Sequence, residues 1–132
     1  MLVEAMVDGV AEVLIGVKQD AVFGPMLLVG LGGIWVEVLG DVAMRLCPVG
    51  ESEALAMLGE LRGKALLNGG RGRPAADVAA LAAMAARVSQ FATRTPGLLE
   101  LDLNPVMALR EGALAVDARI VLADADEGGT TL

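Results

Sequence analysis

Leu98–Val106, LLELDLNPV, and the following Ala115–Ile120, AVDARI, are the two stretches whose reading decides the fold. At the two-residue period of an extended strand, Glu100, Asp102 and Asn104 share one face, while Leu99, Leu101 and Leu103 share the other. The leucine face is expected to be buried. Pro105 is expected to end the strand, because it has no N–H to give to a ladder. A turn around Arg110-Glu111-Gly112 then returns a second strand, with Leu114, Val116, Ala118, Ile120 and Leu122 inward and Asp117 and Arg119 on the opposite face. A hairpin closed there brings Asn104 and Asp117 nearly opposite each other. Hard oxygen ligands converging on one sheet face are what Mg²⁺ takes, with substrate phosphates completing its octahedron. The same spacing also describes an ordinary hairpin with a solvated polar face, and spacing alone leaves both readings open.

Composition narrows the classes. With 132 residues the chain is one domain or a piece of a larger one, and 55% hydrophobic content with 20% charged residues excludes a disordered chain. A net charge of −7 argues against nucleic acid as a partner, and 2% aromatics leave few platforms for stacking bases. Cys47 is the sole cysteine, so no disulfide forms within the chain and a reducing, cytoplasmic location is expected. The absence of histidine removes a Ser-His triad, a His-ligated zinc and a phosphohistidine from these residues. Mean hydropathy is +0.64, but the longest uncharged run, Ala21–Val36, has 16 residues with Pro25 and four glycines, too short and broken to span a bilayer. No membrane association is expected.

Read in order, Met1–Val7 is an apolar run ahead of the Asp8-Gly9 turn signal, and further sequence upstream is expected before it. Val10–Val17 reads as a strand with Glu12 as its one charged member, and Lys18–Pro25 as a loop. Met26–Leu31 and Ile34–Leu39 read as a pair of strands about a Gly32-Gly33 turn; the GLGG run lacks the Lys-Ser/Thr and helix start of a phosphate loop. Val42–Val49 is a further strand. Helices are expected over about Ser52–Leu61 and Ala76–Thr93, the latter capped at Asp77 or the residue before it, with Val78, Leu81, Ala82, Ala85, Val88 and Ala92 as its apolar stripe. Arg71 and Arg73, in the loop between them, could steer an anion or simply solvate a linker. The element order predicts an α+β fold, a largely antiparallel sheet packed with helices, over residues 1–123, with a flexible tail at 124–132.

The pieces LVEAMV, GVAEVLIGV, FGP, LGGIWVE, LLNGGRG, ELDLNPV and AVDARI stand in the order and at the spacing of one known family. The run from Met1 to Leu122 resembles the C-terminal part of the ATP-grasp domain in NDP-forming acyl-CoA synthetases, such as ADP-forming acetyl-CoA synthetase and, more distantly, the succinyl-CoA synthetase β-subunit. The resemblance implies an ATP-grasp-like half domain that binds ATP or ADP and Mg²⁺. In this family the backbone of the hinge holds adenine, which implicates Glu4, Ala5, Met6 and Val7, and a glutamate eight residues after the hinge carboxylate contacts ribose, here Glu12. The Asn of the acidic-x-Asn-Pro motif and the Asp of the next strand hold the metal, here Asn104 and Asp117, with Asp102 at the acidic position.

The implied chemistry is phosphoryl transfer between ATP and a phosphohistidine, coupled to acyl phosphate and acyl-CoA. The family carries that histidine on its CoA-ligase portion, in agreement with a chain that has none, so no catalytic residue is assigned here. The family's first lobe supplies a lysine and a glycine-rich lid, whereas the lysines here, Lys18 and Lys64, both follow the hinge. The expected partners are therefore that missing lobe and the CoA-binding portion, with oligomerisation through an interface of ~1,600 Å² or more. A second reading is a non-catalytic ATP-grasp-like module serving assembly or regulation, as in proteins fused to an acetyltransferase.

Overall fold

The structure, a computed structural model, describes residues 9–32, 40–70, 72 and 74–124. The hinge residues Glu4, Ala5, Met6 and Val7, the Ile34–Leu39 run, Arg71, Arg73 and most of the expected tail lie outside the described residues.

Six strands form one antiparallel sheet among the described residues. In chain order they are β1 (Gly9–Asp20), β2 (Gly24–Leu31), β3 (Val42–Leu46), β4 (Leu98–Leu109), β5 (Ala113–Ala115) and β6 (Ala118–Leu122). The spatial order is β3-β2-β1-β4-β5, with β6 pairing with β4 beyond the end of β5. Three helices lie between β3 and β4: α1 (Glu51–Gly59), the short α2 (Ala65–Asn68) and α3 (Val78–Arg94). The α+β architecture expected from the element order is the one observed. Among the described residues no helix is long and apolar enough to cross a membrane.

β1 continues through Lys18, Gln19 and Asp20, which were expected in a loop, because they pair with Met26, Pro25 and Gly24 of β2. The turn is closed by Asp20, whose Oδ1 accepts from the N–H groups of Val22 at 2.8 Å and Phe23 at 2.9 Å. Alternation along β1 sends Val13, Ile15 and Val17 inward and leaves Glu12, Leu14, Gly16 and Lys18 on the outer face.

β4 departs from simple alternation twice. Its register with β6 slips between Leu98 and Glu100, and its register with β1 slips between Leu103 and Val106. Each slip inserts one extra residue, and a bulge of that kind reverses which face the following residues occupy. The inward set is therefore Leu98, Leu101, Leu103, Val106 and Ala108. Leu99, expected inward, is instead 43% exposed at the first bulge. Pro105 does not end the strand: it sits in the second bulge, behind a cis Asn104–Pro105 peptide, where the ladder does not call on its missing N–H.

The returning segment is also split. Ala113 and Ala115 lie opposite the inward Ala108 and Val106, so they, not Leu114 and Val116, face the core. Leu114 stands opposite Met107 on the outer face. Beyond the break at Val116–Asp117 the expected parity returns, with Ala118 beside Leu103, Ile120 beside Leu101 and Leu122 beside Leu98. Ile120 nevertheless stays 43% exposed, since β6 is an edge strand.

All three helices cover the inner face. Leu81, Ala82, Ala85, Val88 and Ala92 of α3 are buried, and the small alanines let the helix lie close over β1 and β2 while α1 packs beside it. Ser89 is the polar member of this stripe. Its Oγ, fully buried, accepts the Val49 N–H at 2.7 Å and so satisfies the backbone leading into α1. Asp77 is the N-cap of α3, with Oδ1 accepting from the Ala80 N–H at 3.0 Å. Its Oδ2 accepts from the Gly112 N–H at 2.7 Å, and its own N–H donates to the Leu109 carbonyl at 2.7 Å, which ties the β4–β5 turn to the helix start. Those two accepted bonds, Gly112 before Ala80, hold the Asp77 carboxyl below its ordinary range.

Two outcomes follow from these contacts. Ser89→Ala strands the buried Val49 N–H and should lower unfolding free energy by about 1–3 kcal/mol, read by urea denaturation. Asp77→Asn has only one side-chain oxygen for two donors and should melt below wild type at neutral pH. Folding depresses the Asp77 pKa, so its contribution is present above the unfolded carboxyl range and is lost as pH falls through the folded value. The difference in Tm between the two proteins should close on acidification; a constant gap would show that the charge does not carry the effect.

Candidate nucleotide and metal site

Helices cover one face of the sheet; among the described residues none covers the other. Along β1 the bare face runs Glu12, Leu14, Gly16, Lys18, and across the sheet Met44 and Leu46 of β3 are about half exposed. Glu12 is exposed and stands opposite Met107. Further along the same face Gly16 stands opposite Asp102 and Lys18 opposite Glu100. Four residues of strand separate Glu12 from Gly16, roughly 13 Å.

The second bulge of β4 positions the acidic end. The Asn104 N–H donates to the Asp117 carbonyl at 3.2 Å, and the Val116 N–H donates to the Pro105 carbonyl at 2.9 Å. These bonds stitch the gap between β5 and β6 to the bulge, and they bring Asn104 and Asp117 together at exposed positions. The Asp117 carboxylate accepts the Ala118 N–H at 2.8 Å through Oδ1. Asp102, two residues before Asn104, lies on the same face and is half-buried. Burial pushes its carboxyl up from the ordinary range, Glu100 adds to that push, and Arg119 opposes it. Arg119 is the cross-strand partner of Asp102, but its guanidinium binds Glu100 at 2.6 Å.

Among the described residues no three carboxylate, histidine or cysteine side chains converge on one point. The set brought to the bulge is two carboxylates and one amide oxygen. Mg²⁺ suits such a set, because it keeps several waters and takes one or two carboxylates alongside substrate phosphates. The close approach of the strands beside Asp102 has its own cause. A Cβ on Gly16 would stand 3.0 Å from the Leu101 carbonyl oxygen, tighter than ordinary contact, and 3.4 Å from Asp102 Oδ1, so the bare glycine lets the backbones of β1 and β4 lie close at this point. Periodicity could not reveal Gly16, since its role exists only through the pairing of β1 with β4. The structure thus groups Asp102, Asn104 and Asp117, sets Glu12 further along the same face, and says nothing of Glu4–Val7.

These residues together make one helix-backed antiparallel sheet with oxygen donors on its open face. Residues 1–122 match the ATP-grasp domain family, and the chain belongs to it. It is 44% identical over 124 residues to ADP-forming acetate–CoA ligase I of Archaeoglobus fulgidus, a match covering 94% of this chain and 18% of that protein. It is 40% identical over 111 residues to the beta subunit of ADP-forming acetate–CoA ligase I of Pyrococcus furiosus, covering 84% of this chain and 48% of the subunit. Among solved structures it is similar to dinucleotide-forming acetyl-coenzyme A synthetase 1 of Korarchaeum cryptofilum, bound to coenzyme A and Mg-AMPPCP. That likeness has a TM-score of 0.81 at 38% identity and covers 85% of this chain and 53% of the other. The chain thus spans about half of the beta subunit and under a fifth of the longer ligase.

Gly16→Ala presses a methyl against the Leu101 carbonyl of β4 and should weaken the β1–β4 pairing beside Asp102, lowering the melting temperature while leaving the circular dichroism spectrum of the folded protein unchanged. An unchanged melting temperature would show that β4 gives way there without cost.

Proposed function

We propose that this chain is the nucleotide- and Mg²⁺-binding portion of an NDP-forming acyl-CoA synthetase. The overall reaction is acid, CoA and ATP giving acyl-CoA, ADP and phosphate, by way of a phosphohistidine on another domain or subunit. The observation that carries this is the meeting of Asn104 and Asp117 at the β4 bulge, on a bare sheet face, in a chain matched along 1–122 to ATP-grasp domains.

In this assignment the Asn104 amide oxygen and the Asp117 carboxylate hold the metal, with Asp102 beside them. A Mg²⁺ ion held by these groups would supply positive charge against that developing on the phosphate oxygens during transfer. Glu12 lies further up the same face, at the end that takes the ribose, and the Glu4–Val7 backbone takes the adenine. The bulge contributes by fixing both ligands through backbone bonds, so that little ordering is left to be done when the nucleotide arrives. The apolar stretch of the bare face, Leu14 with Met107, suits the nucleotide's flat, weakly polar parts better than its phosphates. With no histidine among these 132 residues, the phosphoryl acceptor belongs to a partner domain or subunit, and the lysine that grips the terminal phosphates to a first lobe. The whole enzyme is assigned to the cytoplasm.

Asp117→Asn tests the assignment. It should weaken Mg²⁺-ADP binding by about tenfold or more while leaving the melting temperature near wild type, and it should abolish acyl-CoA formation once the chain is combined with its complementary portions. Wild-type affinity and turnover in that variant would remove Asp117 from the site. Absence of Mg²⁺-dependent nucleotide binding by the wild-type chain would favour a module kept for assembly or regulation.

A further inference from the structure

The charges on the bare face are unevenly employed. Glu100, Asp102 and Asp117 gather at its acidic end, and two cations stand among them, Lys18 opposite Glu100 and Arg119 opposite Asp102. Arg119 does not lie against its cross-strand neighbour. It reaches diagonally to Glu100 in a single contact, Nη1 to Oε1, and its side chain remains 68% exposed. A surface ion pair of this kind is weak and easily exchanged. The guanidinium has most of its donors unused, in a planar fork whose geometry matches phosphate oxygens. It is carried on β6 two residues beyond Asp117, and its neighbour Ala118 is fixed both by pairing with Leu103 and by its bond to the Asp117 carboxylate.

We propose that Arg119 is a ligand of the nucleotide's terminal phosphates, held in reserve by Glu100 until the nucleotide arrives. The inference rests on the reading of this face as the nucleotide site. A polyphosphate entering beside Asp102 and Asp117 brings several negative charges to a region already rich in carboxylates. Arg119 is the cation placed to offset them, and a bidentate phosphate contact replaces its one bond to Glu100 at little cost. Glu100 has two opposing consequences: it keeps the guanidinium at the site when empty, and it competes for it when phosphate is present. Lys18, on β1 in register with Glu100, is a second cation on the other side of that carboxylate once the exchange has occurred.

The test is titration of the 132-residue chain with a fluorescent ADP analogue and Mg²⁺, in wild type, Arg119→Gln, Glu100→Gln and the double variant, each checked for fold by circular dichroism. Arg119→Gln should weaken binding about tenfold, with a smaller loss for the corresponding AMP analogue. Glu100→Gln should tighten binding several-fold, and that gain should vanish when Arg119 is also replaced, because it acts through the released guanidinium. Equal affinity in wild type and Arg119→Gln overturns the inference while leaving the nucleotide site intact. A Glu100→Gln gain that persists without Arg119 overturns it as well. A wild-type chain that binds no nucleotide overturns the functional assignment and this inference together.

Discussion

β4 must keep one face buried for twelve residues while serving two neighbours whose registers do not match, β1 on one side and β5 then β6 on the other. An unbroken strand of this sequence would turn Val106 and Ala108 outward as soon as Leu101 and Leu103 pointed in. The two bulges resolve that conflict. The second does more, because the residues it extrudes, Asn104 and Pro105, are the ones whose backbone groups bond to Asp117 and Val116. The device that keeps the core continuous is thus the device that assembles the polar end of the opposite face. Every placement on that face, from Gly16 under Asp102 to Arg119 across from it, inherits its register from this one strand.

Much of this was legible in the sequence where the signal was local. The 3.6-residue stripe of α3, its Asp77 cap, the hairpin around Arg110–Gly112 and the approach of Asn104 to Asp117 all follow from spacing within one element or between neighbours. What escaped depended on pairings distant in sequence. Leu99 reads as inward because nothing in LLELDL marks a bulge, which is imposed by β6. Leu114 and Val116 read as inward because one unbroken period of two joins them to Ala118, Ile120 and Leu122, yet register with Val106 and Ala108 chose Ala113 and Ala115. Ser89 gives no sign within an alanine-rich helix that its hydroxyl answers an N–H forty residues earlier. Spacing had already set Asn104 near Asp117, but neither it nor the resemblance could supply Gly16, whose bare backbone meets the Leu101 carbonyl only through the pairing of β1 with β4.

The two faces differ in how their polar groups are settled. On the helix side and in the loops, each notable carboxylate or hydroxyl has backbone partners: Asp20 in its turn, Asp41 on the Arg62 and Gly63 N–H groups, Asp77 at its cap, Ser89 in the core. Among the described residues no buried side-chain nitrogen or oxygen lacks a partner. These groups fix structure and have little capacity left for anything else.

On the open face the same residue types are underemployed. Asp117 spends one oxygen on its own neighbour's N–H, and Glu100 holds Arg119 by one surface bond. Asp102 has burial and a nearby Glu100 working against its charge, with only Arg119 working for it. Packing three carboxylates at one end of a chain that already carries a net charge of −7 is unfavourable in itself. Little balances it on this face: Arg119 acts through one exposed bond to Glu100, and Lys18 stands opposite that same carboxylate, so Asp102 and Asp117 are left with an excess of negative charge that the helix-covered side does not have.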